Sequence, residues 1–273
     1  MRVPFPLLAI TAALSVGCAD VPTSSSPLEP TAPSRIVSGV PDAGQHPYVV
    51  VLVFSDGENS AWLCSGSLLS STVVLTAGHC TDGAVTARAY TNETLTSPLV
   101  SFPGTPYTYS QFCIGCGSGL PGFLQGDVGI VVLSRPVPTS VVGEYAQLPT
   151  PGQVDALAKG STIDLVGYGV DKRFVGGGPP VWDWEGDITR KRATAQLVSG
   201  QFVNSGSFIR LSGNAAQGKG TTCFGDSGGP GLIGGTDTVI ALTSYGSNGN
   251  CAGVSYSFRI DTPDVLAWIQ SFL

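Results

Sequence analysis

The apolar residues of this chain arrive in short runs, each stopped by Gly, Pro, Ser or Asn before a helical period can develop. That punctuation limits the fold more than any other feature. A strand needs only a few apolar residues in succession, whereas a helix needs several turns of them at a wider spacing. Residues 48–54 form a continuous apolar run and read as a buried strand. Residues 64–69 and 73–76, separated by the polar tip Ser70-Ser71-Thr72, read as a hairpin. Further strands are expected at 128–133, 161–168, 194–198, 208–211, 230–233, 239–244 and 255–260. With 37 Gly, 20 Pro and only 12% charged residues in 273, the expectation is an all-β protein. Residues 81–126, which include Pro98, Pro103 and Pro106, read as loop-rich with no strand marked in them, and residues 170–187 read as a loop. Arg190-Lys191-Arg192 is the one basic run and reads as a solvated strand end. Only the C-terminus changes period. Thr262 can cap a helix with Pro263 at its first position, and Val265, Leu266, Trp268, Ile269, Phe272 and Leu273 then share a face.

Residues 1–19 read as an export signal. Arg2 supplies a positive charge, the apolar stretch from Phe5 to Val16 is too short to span a bilayer, and the small residues Gly17, Cys18 and Ala19 follow. Ser15-Val16-Gly17-Cys18 also resembles a bacterial lipoprotein box, so two locations stay open: secretion, or lipid anchoring at the cell surface through Cys18. A membrane is a partner only in the second case. Residues 20–35, rich in Ser, Thr and Pro, hold too little apolar surface to fold and read as a linker or pro-segment. Composition changes at Arg35-Ile36-Val37-Ser38-Gly39, which is either an accessible processing site or simply the end of the linker. The net charge of −6 and the lack of basic clusters argue against nucleic acid. Once Cys18 is set aside, Cys64, Cys80, Cys113, Cys116, Cys223 and Cys251 remain, an even set suited to disulfides in an exported protein. Cys113-x-x-Cys116 could be half a zinc site, but with two histidines in the chain a second half is hard to assemble. No metal and no cofactor are expected.

Two stretches carry chemistry, and a third gains meaning beside them. In Gly225-Asp226-Ser227-Gly228-Gly229-Pro230 a serine sits among residues with little side-chain bulk, where the backbone can turn the N–H groups of 225 and 227 toward one oxygen. A serine hydroxyl becomes a nucleophile only if a base takes its proton. In Thr76-Ala77-Gly78-His79-Cys80 an imidazole follows an apolar strand directly, beside a cysteine that can tie it down, and such a histidine can be a base near neutral pH. The other histidine, His46, lacks that context. Asp127 opens the run Val128-Gly129-Ile130-Val131-Val132-Leu133 and, taken alone, reads as a turn-capping aspartate before a strand.

These three stretches, in the order His, Asp, Ser, resemble the motifs of the chymotrypsin/trypsin-like serine proteases, and the resemblance runs from Ile36 to the C-terminal helix. It implies two packed six-stranded antiparallel β-barrels, one at about 36–145 and one at about 146–258, with a helix at 262–273 outside them. It also implies a secreted serine endopeptidase acting on polypeptides as a monomer. Ser227 would be the nucleophile, His79 the base, Asp127 the orienting acid, and the N–H groups of Gly225 and Ser227 the oxyanion hole. Cleavage after Arg35 by a trypsin-like protease would free Ile36 to pair with Asp226, so the chain would be a zymogen. Disulfides would join Cys64 to Cys80 and Cys223 to Cys251; Cys113–Cys116 has no counterpart in the common family pattern. Thr221, Gly246 and Ser255 would shape the specificity pocket, and Ser244, Tyr245 and Gly246 would pair with substrate backbone. A neutral Thr221 predicts a neutral, apolar or aromatic residue before the scissile bond. The rival readings are an inactive homologue and an adhesive surface lipoprotein, both acting by binding.

Overall fold

The run at the start of the folded region builds the first barrel. Strands β1 (Val49–Ser55), β2 (Ala61–Leu68), β3 (Val73–Thr76), β4 (Thr86–Tyr90), β5 (Ser101–Thr108) and β6 (Gly129–Leu133) pair in the order β1-β2-β3-β6-β5-β4, and β4 returns to β1 to close the sheet. Closure removes both open edges, which is how an all-β chain of this kind avoids offering a strand to its neighbours. In β1, Val49, Val50, Val51 and Leu52 are all fully buried. One face fills the barrel and the other is covered from outside, so the strand is apolar throughout rather than alternating. The computed structural model describes residues 36, 39–117, 124–170, 172–174, 181–184, 186–198, 207–214 and 217–273. The expected export signal at 1–19, with Cys18, and the segment 20–35, with Arg35, lie outside the described residues.

Strands β4 and β5 fall inside the loop-rich stretch where no strand is expected, and this corrects that reading. Pro103 and Pro106 do not break β5, which pairs on both sides, with Arg88 opposite Pro103 and Val131 opposite Pro106. A proline removes only its own N–H, and its carbonyl still accepts, as Pro103 O does from Ser134 N at 2.8 Å. Along β5 most side chains are exposed or half-buried, so no apolar run marks the strand.

The second barrel uses β7 (Thr162–Gly167), β8 (Lys191–Leu197), β9 (Phe208–Gly213), β10 (Pro230–Ile233), β11 (Val239–Gly246) and β12 (Gly253–Arg259), in the order β8-β7-β10-β11-β12-β9, with β9 closing on β8. The short strand Val40–Pro41 adds to β8. Here the basic run corrects a second expectation: Arg190 and Lys191 are buried, at 2% and 1% exposure. Arg190 is not a solvated end but a seam between the barrels. Its Nε donates to Asp42 Oδ2 at 2.8 Å, and one terminal nitrogen donates to Val49 O at 3.0 Å and to the Tyr168 hydroxyl at 3.2 Å. Burial pushes the Asp42 carboxyl up, but hydrogen bonds from His46 and Arg190 and the guanidinium charge outweigh it and hold it at about 2.

Two short α-helices among the described residues complete the frame. Helix α1 (Gly78–Thr81) is a single turn after β3. Helix α2 (Pro263–Gln270) starts with Pro263 in its first turn; Thr262 stands at the cap position, but its hydroxyl makes no capping bond. Val265, Leu266 and Ile269 are buried, and Trp268 and Phe272 pack on Tyr109 and Tyr107 at 5.1 and 5.2 Å between ring centres. The final residue of the expected apolar face, Leu273, is 59% exposed. No described helix is long and apolar enough to cross a membrane. Disulfides join Cys64 to Cys80, Cys113 to Cys116 and Cys223 to Cys251.

Candidate active site

Strand β3 ends at Thr76, and α1 turns at once, so His79 stands at the lip of the first barrel with its side chain 24% exposed. Asp127, just before β6, is wholly buried. It takes the His79 backbone N–H at 2.9 Å, and both of its oxygens lie 3.0 Å from His79 Nδ1. That contact commits Nδ1 to the carboxylate and leaves Nε2 as the ring nitrogen able to exchange a proton. A third bond comes from the other barrel: the Ser244 hydroxyl donates to Asp127 Oδ2. Burial alone would raise the Asp127 pKa, but the His79 charge and the hydrogen bonds from His79 and Ser244 lower it. For His79 burial lowers the pKa, and the Asp127 charge and hydrogen bond reverse this and raise it.

Ser227 belongs to the turn that leads into β10. Gly228, at φ +76°, packs so tightly on the end of β3 that an added Cβ would lie 2.1 Å from Thr76 Oγ1 and 2.7 Å from Ala77 N. A residue with a side chain could not take that place, and the contact brings Ser227 beside the turn that carries His79. Among the described residues no hydrogen bond links the Ser227 hydroxyl to His79; such a contact often tightens only when substrate binds. Neither Gly225 N nor Ser227 N donates to a protein acceptor among the described residues, which leaves both free for a ligand oxygen. Gly225 adopts φ +95°, a conformation that a side chain would strain. Asp226 is buried and points away, accepting Gly169 N at 2.8 Å and Cys223 N at 2.9 Å. Ile36 is fully buried as well.

Beside Ser227 lies a cavity of about 310 Å³ whose walls include Thr222, Phe224, Thr243, Ser244, Tyr245, Gly246 and the Cys223–Cys251 pair. Of the three residues expected to shape a pocket, only Gly246 lines it; Thr221 and Ser255 are buried, at 4% and 1%, and are not among its walls. Among the described residues no Asp or Glu lines the cavity. Cys64, Cys80 and His79 are grouped closely enough to suggest a metal, but the two sulfurs are bonded to each other and offer no thiolate. Two contacts escaped the sequence reading. The contact between Ser244 and Asp127 spans 117 positions, and Ser65 is an unremarked serine after a cysteine that bonds to the turn of Ser227. No local pattern marks either one.

A buried acid that orients an imidazole, a serine at the mouth of a cavity and two idle N–H groups form an arrangement able to attack an acyl carbon and stabilise the oxyanion. Comparisons with known proteins agree with that chemistry. A sequence model of the trypsin family matches residues 36–269. The chain is 29% identical over 264 residues to a trypsin of Sarcophaga bullata, covering 93% of this chain and 94% of that protein. It is 27% identical over 235 residues to a chymotrypsin of Phaedon cochleariae, covering 83% and 75%. Among solved structures, HL collagenase superposes with a TM-score of 0.63 at 19% identity, covering 84% of this chain and 94% of that one.

Proposed function

Since this chain belongs to the trypsin family of serine proteases, we propose that it is exported as a zymogen, activated by cleavage after Arg35, and hydrolyses peptide bonds through an acyl-enzyme on Ser227. The observation that carries this reading is the fully buried Asp127, tied at once to His79 in one barrel and Ser244 in the other, next to the cavity that Ser227 lines. Ser227 Oγ attacks the scissile carbonyl while His79 Nε2 takes its proton. Asp127 keeps the reactive tautomer and stabilises the imidazolium. The N–H groups of Gly225 and Ser227 receive the oxyanion, each worth about 3–4 kcal/mol of barrier. His79 then returns the proton to the leaving amine, and water repeats the sequence on the acyl group.

Activation rests on two buried residues, Ile36 and Asp226. Cutting after Arg35 by a trypsin-like protease frees the Ile36 amine to meet the Asp226 carboxylate. Losing either partner of such a buried pair costs about 3–5 kcal/mol. A cavity whose described walls carry no carboxylate suits a neutral apolar or aromatic side chain before the scissile bond, with Ser244, Tyr245 and Gly246 pairing to substrate backbone. Relatives of similar identity include both a trypsin and a chymotrypsin, so preference is argued from the cavity and not from the likeness.

The decisive experiment treats protein cut at Arg35 with a serine-directed phosphonate. Labelling that disappears in Ser227→Ala supports the enzyme, and no labelling leaves an inactive homologue that binds. Faster turnover of Arg or Lys substrates than of Phe, Tyr or Leu ones would overturn the pocket assignment. Because Ser15-Val16-Gly17-Cys18 resembles a lipoprotein box, mass spectrometry of the mature N-terminus separates a secreted chain from one acylated at Cys18.

A further inference from the structure

Within the turn that carries Ser227, each carbonyl from Phe224 to Ser227 is held by a donor. Phe224 O accepts Val170 N at 2.8 Å, Asp226 O accepts Gly229 N at 2.9 Å, and Ser227 O accepts Ser65 N at 2.8 Å. The remaining one, Gly225 O, is held by a side chain: the Ser65 hydroxyl, at 2.9 Å. This bond matters because of where the Gly225–Asp226 peptide lies. It is the link between the two candidate oxyanion donors, with the N–H of Gly225 on one side and the N–H of Ser227 on the other. Carbonyl and N–H of one peptide point in opposite directions, so the bonds to Phe224 O and Asp226 O set the directions of the Gly225 and Ser227 N–H groups, and the Ser65 bond fixes the plane of the peptide that joins them.

Ser65 is built for one orientation. It is fully buried, and its oxygen accepts Tyr168 N at 3.1 Å. That leaves its own proton for Gly225 O. Its carbonyl accepts the Thr76 hydroxyl at 2.9 Å, three residues before His79, and its chain neighbour Cys64 is bonded to Cys80. One residue of the first barrel therefore grips the nucleophile's turn and the base's strand together.

We infer that the Ser65 hydroxyl is a positioning residue that aims the oxyanion donors. It touches no substrate and acts through the Gly225–Asp226 peptide. The inference rests on the reading of Ser227 as nucleophile. A neutral hydrogen bond of this kind corresponds to about a five- to tenfold effect.

The test uses full-length protein activated at Arg35. Ser65→Ala should lower kcat about five- to tenfold with KM within a factor of two. A peptidyl trifluoromethyl ketone forms a hemiketal whose oxyanion occupies the hole, so its affinity should fall by the same factor. The matching non-reactive peptide amide should bind unchanged, and the acid limb of the pH profile should not move, because the base is untouched. Ser65→Gly should behave like Ser65→Ala and serves if the alanine variant does not fold; Ser65→Thr, which keeps the donor, should recover most of kcat. Unchanged kcat in the alanine and glycine variants would overturn the assignment. So would an equal loss of amide and ketone affinity. If Ser227→Ala kept its activity, the nucleophile reading itself would fail, which is a different outcome from a silent Ser65.

Discussion

The two barrels close in the same way and differ in the charges they bury. Numbering each from its own first strand, both run 1-2-3-6-5-4 around the circle, yet the sequence shows no internal repeat. The first is packed with aliphatic side chains such as Leu52, Leu75, Ile130 and Val131. The second has an aliphatic interior as well, with Ile163, Leu165 and Ile240 in it, and it adds buried charges. Arg259 lies between Asp261 and Asp155, and Arg190 reaches Asp42. The site divides in the reverse sense. The apolar barrel carries the ionisable pair, His79 and Asp127, and the charged barrel carries a neutral hydroxyl and two backbone N–H groups. An ionisable pair is tuned most strongly where no other charge competes with it, and an aimed N–H needs only a rigid frame. One closure pattern therefore serves two chemical tasks, because topology sets where loops emerge and not which groups they carry.

The sharpest break of this division is Asp127→Asn, which keeps the shape and loses the charge. A drop in kcat/KM of about 10⁴ is expected. Adding Ser227→Ala should deepen it no further than Ser227→Ala alone, since groups acting as a unit are not additive. Steady-state kinetics of the three variants read this directly. Next comes stability in the charged barrel: Arg259→Ala leaves the fully buried Asp261 without its cation, at a cost of about 4 kcal/mol in urea denaturation. In the aliphatic barrel the matching change, Leu52→Ala, removes fully buried methyl groups and should cost about 3 kcal/mol, independent of pH.

Acid tests the same contrast more gently. The Asp42 carboxyl is held at about 2 when folded, below its unfolded value near 4. Its contribution, on the order of 2 kcal/mol, is present above the unfolded value and is lost as pH falls through about 2. The stability gap between the native chain and Asp42→Asn should narrow over that window, measured by denaturant titration at each pH. The smallest expected effect is a displaced titration. His79 is raised above its ordinary value of 6.5 and, as the proposed base, would have to be neutral, so kcat/KM should fall on acidification from a midpoint above 6.5. A midpoint at or below 6.5 would mean that Asp127 does not tune the imidazole.

Much of this was legible in the chain because its signals are local. The runs around Val50, Val74 and Ile130 mark strands by continuity, Pro263 marks the start of α2, and the residues around His79 and Ser227 mark turns with little room for side chains. What escaped is relational. Strand β5 is invisible because Tyr107 and its neighbours are half-exposed and two prolines interrupt the pattern. Lys191 looks solvated because nothing near it in sequence shows the layers that cover it. Thr221 and Ser255 were placed by counting from motifs, yet the cavity is walled by Thr222, Thr243 and Tyr245, whose side chains depend on how β11 and its neighbours pack. Long-range contacts such as Ser244 to Asp127 follow from closure of both barrels, which no single stretch encodes.

The grip of Ser65 on the neighbouring barrel's turn has a thermal consequence. Each half of the molecule closes its own hydrogen-bonded circle, so a small shift of one against the other would leave circular dichroism unchanged. Peptide hydrolysis would see it at once, since its working distances are measured across that junction. On heating, turnover should therefore fade before secondary structure melts. The enzyme acts as a gauge of how well its halves stay in register.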